Sequence, residues 1–259
     1  MMKPSERRVE ILNIVRRQKR VYVDELANLL HISRETVRRD LGELERTGKI
    51  QKFHGGAELP GVHGEGRFLE RLAENVPAKV AIATAALDLI SPGETLFIDT
   101  GSTTLYFAEQ LAGVANLTVV TNSTEIARIL GADNHATQVF LLGGEYHADN
   151  RQTVGSMVIK QVGFFRAHHA VLTIGALDSR SGIMDFNINE AQVARAMIQQ
   201  AESVTVLADV TKFGRIASFG VCGFDRITNL VCDRMPEKSI AASLEEAGVN
   251  IVVSQSISR

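Results

Sequence analysis

Two groups of side chains in this sequence are of types that handle anions. The first is cationic. Arg34, Arg38 and Arg39, with Thr36 beside them, fall in a run where Val37, Leu41 and Leu44 recur at helical spacing. The apolar residues of such a helix pack inward and the arginines stay on the outer side. A guanidinium fork pairs bidentately with guanine or holds phosphate oxygens, so this edge suits a nucleic-acid groove. The second group is Asp99-Thr100-Gly101-Ser102-Thr103-Thr104. Its glycine admits a close backbone approach, its hydroxyls donate hydrogen bonds, and the free N–H groups of a helix start favour an anion. The stretch is neither a Walker loop nor GxGxxG. Taken alone, it serves equally well as a plain helix cap.

The arginines need a scaffold, and residues 1–57 supply one. Ile11, Ile14 and Val15 mark a one-sided first helix, and Leu26, Leu29 and Leu30 stripe a short second one over residues 24–30. Asp24 and Glu25 suit the positive end of that second helix. His31-Ile32 breaks the pattern, and Ser33 stands where an N-cap belongs, its hydroxyl able to accept a free backbone N–H. After the third helix, Gly48 is followed by alternating polar and apolar residues through Ala57, the pattern of a β-wing. Lys49, Lys52, His54 and Gly55 of this wing are expected along the sugar-phosphate backbone. Two short helices, a turn, a third helix and a wing describe a winged helix-turn-helix that reads double-stranded DNA. The alternative is an ordinary solvated face, with the arginines salt-bridged to Glu35 and Asp40.

Beyond residue 75 the pattern changes. β-like runs at 95–99, 117–120, 139–142, 170–174, 204–208, 230–232 and 250–253 alternate with amphipathic stretches at 79–89, 104–111, 190–201 and 237–247. Such alternation predicts an α/β domain with a mostly parallel sheet covered on both faces. In these sheets ligands bind at the C-terminal ends of the strands. Besides the 99–104 loop, those ends carry Thr121-Asn122, Gly143-Gly144, Gly175 and Asp209 with Lys212. That is more polar and glycine character than helix capping needs. Lys212, the lysine among them, suits a phosphate.

Charge divides the chain in the same way. Residues 1–57 carry 13 Lys/Arg against 8 Asp/Glu, and the rest carry 15 against 22, so a basic head sits on an acidic body. Between them, three glycines and Pro60 within residues 58–66 exclude a helix or central strand. We expect a DNA-binding domain over 1–57, a linker over 58–75 and an effector domain over 76–259. The 45% hydrophobic content supports a packed core and excludes a disordered chain. No stretch of about 18 apolar residues suggests a membrane span, and the first residues run straight into charges with no export signal. A soluble, cytoplasmic protein is therefore expected. Cys222 and Cys232 read as reduced thiols rather than a zinc site. His168-His169 point to opposite faces of a strand and do not share an ion easily. No cofactor, metal or catalytic residue is expected.

The run Ser33-Arg34-Glu35-Thr36-Val37-Arg38-Arg39-Asp40-Leu41, with Leu44-Glu45, Gly48 and His54-Gly55-Gly56-Ala57, resembles the N-terminal motif of DeoR-type bacterial transcription regulators. Tyr22 departs from the Ser or Thr usual there, and Lys52 from a common Arg. The resemblance continues through Asp99 to Thr104, Val119 to Asn122, Leu142-Gly143-Gly144, Ala208-Asp209 and Lys212-Phe213-Gly214, with Arg71, Asn75 and Lys79 ahead of them. It implies an effector domain like ribose-5-phosphate isomerase and glucosamine-6-phosphate deaminase. In that reading Gly101, Ser102, Thr103, Thr104 and Lys212 hold a phosphate, and Asp99, Asn122, Glu190 and Asp209 meet sugar or polyol hydroxyls. Glu190 is explained equally by the dipole of the helix it opens. Val210-Thr211 replaces the serine-rich pair often found before the lysine. Residues 185–190 resemble the branch of glycerol-3-phosphate and sulfosugar regulators.

The leading expectation is a repressor of a sugar or polyol catabolic operon, released from operator DNA by a phosphorylated sugar or polyol. A homodimer or homotetramer is expected because one head contacts too few bases for genomic specificity. The alternative is a sugar-phosphate isomerase with an attached DNA-binding domain, since carboxylates at strand ends also support proton transfer. A general DNA coat fits poorly with a net charge of -2.

Overall fold

The computed structural model describes residues 3–18, 20–47, 49–53, 55–58, 68–132 and 136–255. They fall into two compact units, Met1–Gly64 and Glu65–Arg259.

The first unit contains α1 (Pro4–Gln18), β1 (Arg20–Tyr22), α2 (Val23–Leu30), α3 (Arg34–Arg46), β2 (Gln51–Phe53) and β3 (Gly56–Glu58). Ile11, Val15, Leu26, Val37 and Leu41 form its core, each side chain delivered by the helical spacing seen in the sequence. The wing pairs β2 with β3 antiparallel, and β1 adds to β3 on the other side. At the start of α2 the Tyr22 N–H donates to the Glu25 carboxylate at 3.3 Å, while the Tyr22 ring packs edge-on against Phe53.

The second unit runs α4 (Phe68–Ala73), α5 (Val76–Leu87), β4 (Thr95–Ile98), α6 (Ser102–Leu111), β5 (Thr118–Thr121), α7 (Thr124–Gly131) and β6 (Gln138–Leu141). It continues through β7 (Glu145–His147), β8 (Gln152–Val154), α8 (Ser156–Val162), β9 (Ala167–Thr173), β10 (Ala176–Asp178), β11 (Gly182–Asp185) and α9 (Ile188–Gln199). The last elements are β12 (Ala201–Ala208), a short 3-10 turn (Val210–Lys212), β13 (Phe219–Cys222), a second such turn (Phe224–Arg226), β14 (Asn229–Cys232), α10 (Lys238–Glu246) and β15 (Asn250–Val253). Seven strands pair in parallel in the order β15-β14-β12-β9-β4-β5-β6. Both faces are buried because neighbouring residues of a strand alternate sides. Leu96, Ile98, Val119, Val171 and Leu207 meet α5, α6 and α7. Phe97, Val120, Leu172 and Val206 meet α8, α9 and α10.

Several features lie outside the expected alternation, among them the helices α7 and α8. Residues 68–73, inside the stretch expected as linker, form α4, and Phe68 is buried in the core. Two small antiparallel pieces, β7-β8 and β10-β11-β13, also accompany the main sheet. From β4 the chain builds outward through β5 and β6, then returns to β9 on the other side of β4. A crevice opens at such a switch point, beyond the C-terminal ends of the two strands.

Candidate functional site

The described cations of the head that are expected to meet DNA are exposed. Ser33 caps α3, its hydroxyl accepting the Thr36 N–H at 3.2 Å and lying 2.9 Å from the Thr36 hydroxyl. Arg34, Arg38 and Arg39 are all exposed. Arg34 Nε lies 2.8 Å from the Asp24 carboxylate, and Arg38 lies 3.8 Å from Glu35. Asp40 does not join these surface pairs as the solvated-face reading expected. It is 3% exposed and binds Arg7 of α1 at 2.5 Å, because Asp40 follows the inward turn of α3 that also buries Val37 and Leu41. Lys49 is exposed, and Lys52 pairs with Glu45 at 3.0 Å. Gly55 takes a positive φ of 91° in the wing turn, and its carbonyl accepts the Val23 N–H at 2.8 Å. His54 lies outside the described residues.

The second unit has a pocket at the switch point. Asp99 and Thr100 after β4, Thr173 at the end of β9, and Asn122 after β5 line it. Gln152 of β8, Asp185 of β11, Glu190 of α9 and Arg71 of α4 complete its polar wall. The Thr173 N–H donates to both Asp99 carboxylate oxygens at 3.1 Å. Burial raises the Asp99 carboxyl well above the usual carboxylate range, and the charges of Asp185 and Glu190 push it the same way. Glu190 Oε1 accepts three amide N–H groups, from Asn150 and Gln152 at 2.7 Å and from Asn187 at 3.1 Å. That network fixes the carboxylate at the pocket and goes beyond the helix-dipole explanation. Asn122 spends its Nδ2 on Gln152 and Thr153. Its buried Oδ1 and the buried Thr100 Oγ1 find no partner among the described residues.

The remaining expected residues build the walls. A Cβ on Gly101 would lie 2.0 Å from Thr173 Oγ1, so the two strand ends meet only over a glycine. Ser102 and Thr103 open α6 and are buried, while Thr104 donates to the Asp99 and Gly101 carbonyls. Thr121 Oγ1 accepts the Ser123 N–H at 3.0 Å. Gly144 packs under Val154 and Val158, and Gly175 against Phe186. Asp209 is buried and accepts the Thr211 N–H at 2.9 Å. Lys212 follows in the same turn, half-buried. Neither Asp209 nor Lys212 is among the residues lining the pocket between β4 and β9. Four polar lining residues were not singled out from the sequence as ligands: Arg71, Gln152, Thr173 and Asp185. Residue 173 had a signal as part of an expected strand, and Arg71 and Asp185 stood only in stretches that carry the family resemblance.

Elsewhere, His168 and His169 have separate partners. His168 Nδ1 accepts the Thr95 N–H, and His169 Nε2 lies 3.3 Å from Glu94. Among the described residues, no group of three His, Cys, Asp or Glu is placed to hold a metal, and no helix is long and apolar enough to cross a membrane. Cys222 and Cys232 are free thiols that burial pushes up to about 12 and about 11.

Residues 7–61 match the family described as a DeoR-like helix-turn-helix domain, and residues 74–234 match the DeoR C terminal sensor domain. The chain is similar to the HTH-type transcriptional repressor CsqR of Escherichia coli, at 32% identity covering 97% of this chain and 96% of that protein. It is 32% identical to the repressor GlcR of Bacillus subtilis, covering 98% of each. It is also 30% identical to the glycerol-3-phosphate regulon repressor of Escherichia coli, covering 96% of this chain and 99% of that one. Similar solved structures include ribose 5-phosphate isomerase A from Methanocaldococcus jannaschii, with a TM-score of 0.40 at 15% identity over 54% of this chain and 55% of that one. Another is eIF2B beta from Chaetomium thermophilum, with a TM-score of 0.48 at 15% identity over 69% and 56%.

Proposed function

The chain belongs to the DeoR family of transcriptional regulators, and from that premise we propose that it represses a sugar or polyol catabolic operon and leaves its operator when a phosphorylated sugar or polyol fills the pocket between β4 and β9. It is a DNA-binding regulator rather than an enzyme. The pocket's carboxylates therefore serve recognition, not proton transfer.

The observation that carries the ligand assignment is the pair of buried oxygens, Thr100 Oγ1 and Asn122 Oδ1, beside the carboxylates of Asp99, Asp185 and Glu190. Leaving a buried polar atom unpaired costs about 1–3 kcal/mol, and a polyhydroxylated ligand supplies the missing hydrogen bonds. In this reading Asp99, Asn122, Glu190 and Asp209 meet hydroxyls. The N–H groups of Gly101, Ser102 and Thr103 at the start of α6, with Lys212, take the phosphate. Thr104, Thr121, Gly144 and Gly175 hold the walls in place. Residues 1–57 act as the DNA head, with Ser33, Arg34, Thr36, Arg38, Arg39, Lys49, Lys52, His54 and Gly55 on the duplex. Residues 76–259 form the effector domain, which α4 serves from within the connecting 58–75 stretch. Two heads of a homodimer or homotetramer grip two half-sites.

A thermal-shift panel of sugar and polyol phosphates, each beside its unphosphorylated parent, tests the ligand class. One phosphorylated compound is expected to raise Tm, by about 2.7 kcal/mol of added stability at 100 times its Kd, and its parent is not. Equal shifts from the two would remove the phosphate from the account.

A further inference from the structure

The seven-stranded sheet ends at β6, which carries no further strand among the described residues. The N–H groups of Gln138 and Leu142 donate to the carbonyls of Leu117, just before β5, and Thr121, its last residue, each at 2.8 Å. Backbone groups alternate sides along a strand, so those of Val139 and Leu141 point away from β5. Such an edge is a template for another strand, and proteins that keep one unpaired blunt it with lysine, proline or a bulge. Gln138-Val139-Phe140-Leu141 has none of these, and its register with β5 is unbroken. Just beyond it, the Gln161 amide bonds both the N–H and the carbonyl of Gly143 and closes the edge there.

The side chains around this edge are apolar. Phe140 shares a face with Leu142 and meets Phe165 on the α8 side, with ring centroids 5.1 Å apart. Leu141 shares the other face with Val139, on the α7 side. Met157 of α8 and Phe164, just past its end, stand at i and i+7 with Gln161 between them at i+4. The three form one stripe, and the Gln161 bonds to Gly143 set that stripe beside the edge. Phe140, Leu141, Met157 and Phe164 are all exposed, Phe164 to 73%. With the half-buried Val139 and Phe165 they present about 450 Å² of apolar surface. A standard homodimer interface buries about 800 Å² per partner, about 65% of it apolar, so this patch supplies most of the apolar share. At the opposite edge, β15 exposes only Val253 among its large apolar residues.

Resting on the homo-oligomer reading above, we propose that β6 pairs with β6 of a second copy of this chain, antiparallel across a two-fold axis at Phe140. The outward backbone groups fix that register. Val139 lies opposite the partner's Leu141, and Leu141 opposite the partner's Val139, each pair exchanging N–H to carbonyl bonds. Phe140 then lies opposite its own copy in a non-hydrogen-bonded pair, with Cα atoms about 4.5 Å apart and the side chains in contact. The strand is its own complement in this register, as an isologous interface requires.

Sedimentation of the full-length protein without DNA gives the first test. The unmodified chain is expected as a dimer or tetramer, and Leu141→Pro at half the mass of that assembly. Proline there removes an N–H that the fold does not use and sets its ring where the partner strand would lie. Cysteine reads the register separately. Phe140→Cys is expected to give disulfide-linked pairs of chains under a mild oxidant, with the unmodified protein as blank, since bridged residues have Cα atoms about 4.4–6.8 Å apart. Gln138→Cys is not, because the two copies of residue 138 would lie more than about 13 Å apart. An assembly that keeps its mass in Leu141→Pro, or cross-linking no greater at 140 than at 138, overturns the inference and leaves the homo-oligomer reading standing. An unmodified chain that is monomeric at every concentration removes that reading and the inference with it. The cysteine pair decides the register even if Leu141→Pro fails to fold.

Discussion

Asp99 concentrates the electrostatics of the pocket. It is buried, takes the Thr173 N–H on both oxygens, and shares its surroundings with Asp185 and Glu190. Its carboxyl is raised above the usual range, so the folded protein holds a proton there that the unfolded chain has released. The stability linked to that proton is complete below about pH 4 and is lost as pH rises through the folded value. Asp99→Asn is accordingly expected to raise Tm at pH about 8, with the gain shrinking towards pH 4, and to blunt the effector response. A gain that is the same at both pH values would contradict the assignment. Asp99, Thr100 and Asn122 were legible in the sequence because they stand just after the apolar runs that form β4 and β5. Gln152 and Asp185 were not, because they lie within β8 and β11, outside the parallel sheet, rather than after one of its strands. Arg71 was placed in the linker, since the glycines before it hid the short helix that carries it.

At the scale of elements, the proposed function gives the exposed face of α3 to binding and its buried face to folding. Arg38 is exposed and only loosely paired with Glu35, at 3.8 Å. Arg38→Ala is expected to cost within about 0.5 kcal/mol of stability, yet about 1–3 kcal/mol of operator affinity. Asp40, buried against Arg7, should behave in the opposite way. Asp40→Ala is expected to lower head stability by about 1–3 kcal/mol, because it removes the buried carboxylate that pairs with Arg7. Denaturant melts and operator titrations of the two variants, side by side, check the contrast; equal stability losses would mean that α3 lacks this division. All seven parallel strands were legible as short apolar runs, the central ones because they are buried on both faces. The α7 and α8 helices, of eight and seven residues, were not among the expected ones. Asp40 was misplaced because a carboxylate beside two arginines looks like their surface partner, and only α1 shows where it points.

Over the whole molecule, the sequence places a basic head and an acidic body on one chain, and each unit has its own core. A ligand in the body alters DNA binding only if it binds the DNA-competent and DNA-incompetent states with different affinity. Moving that balance from 99:1 to 1:99 takes about 5.5 kcal/mol, which a few charge-assisted hydrogen bonds to a phosphate and several hydroxyl contacts can supply. The measurement that tests this most directly is fluorescence anisotropy on duplex DNA from upstream of the protein's own gene, at fixed salt. The account predicts tighter binding to that duplex than to random sequence, release by one phosphorylated sugar or polyol but not by its parent, and no release from a Lys212→Ala variant. Specific binding that no phosphorylated compound reverses, or that parent and phosphate reverse alike, would contradict it.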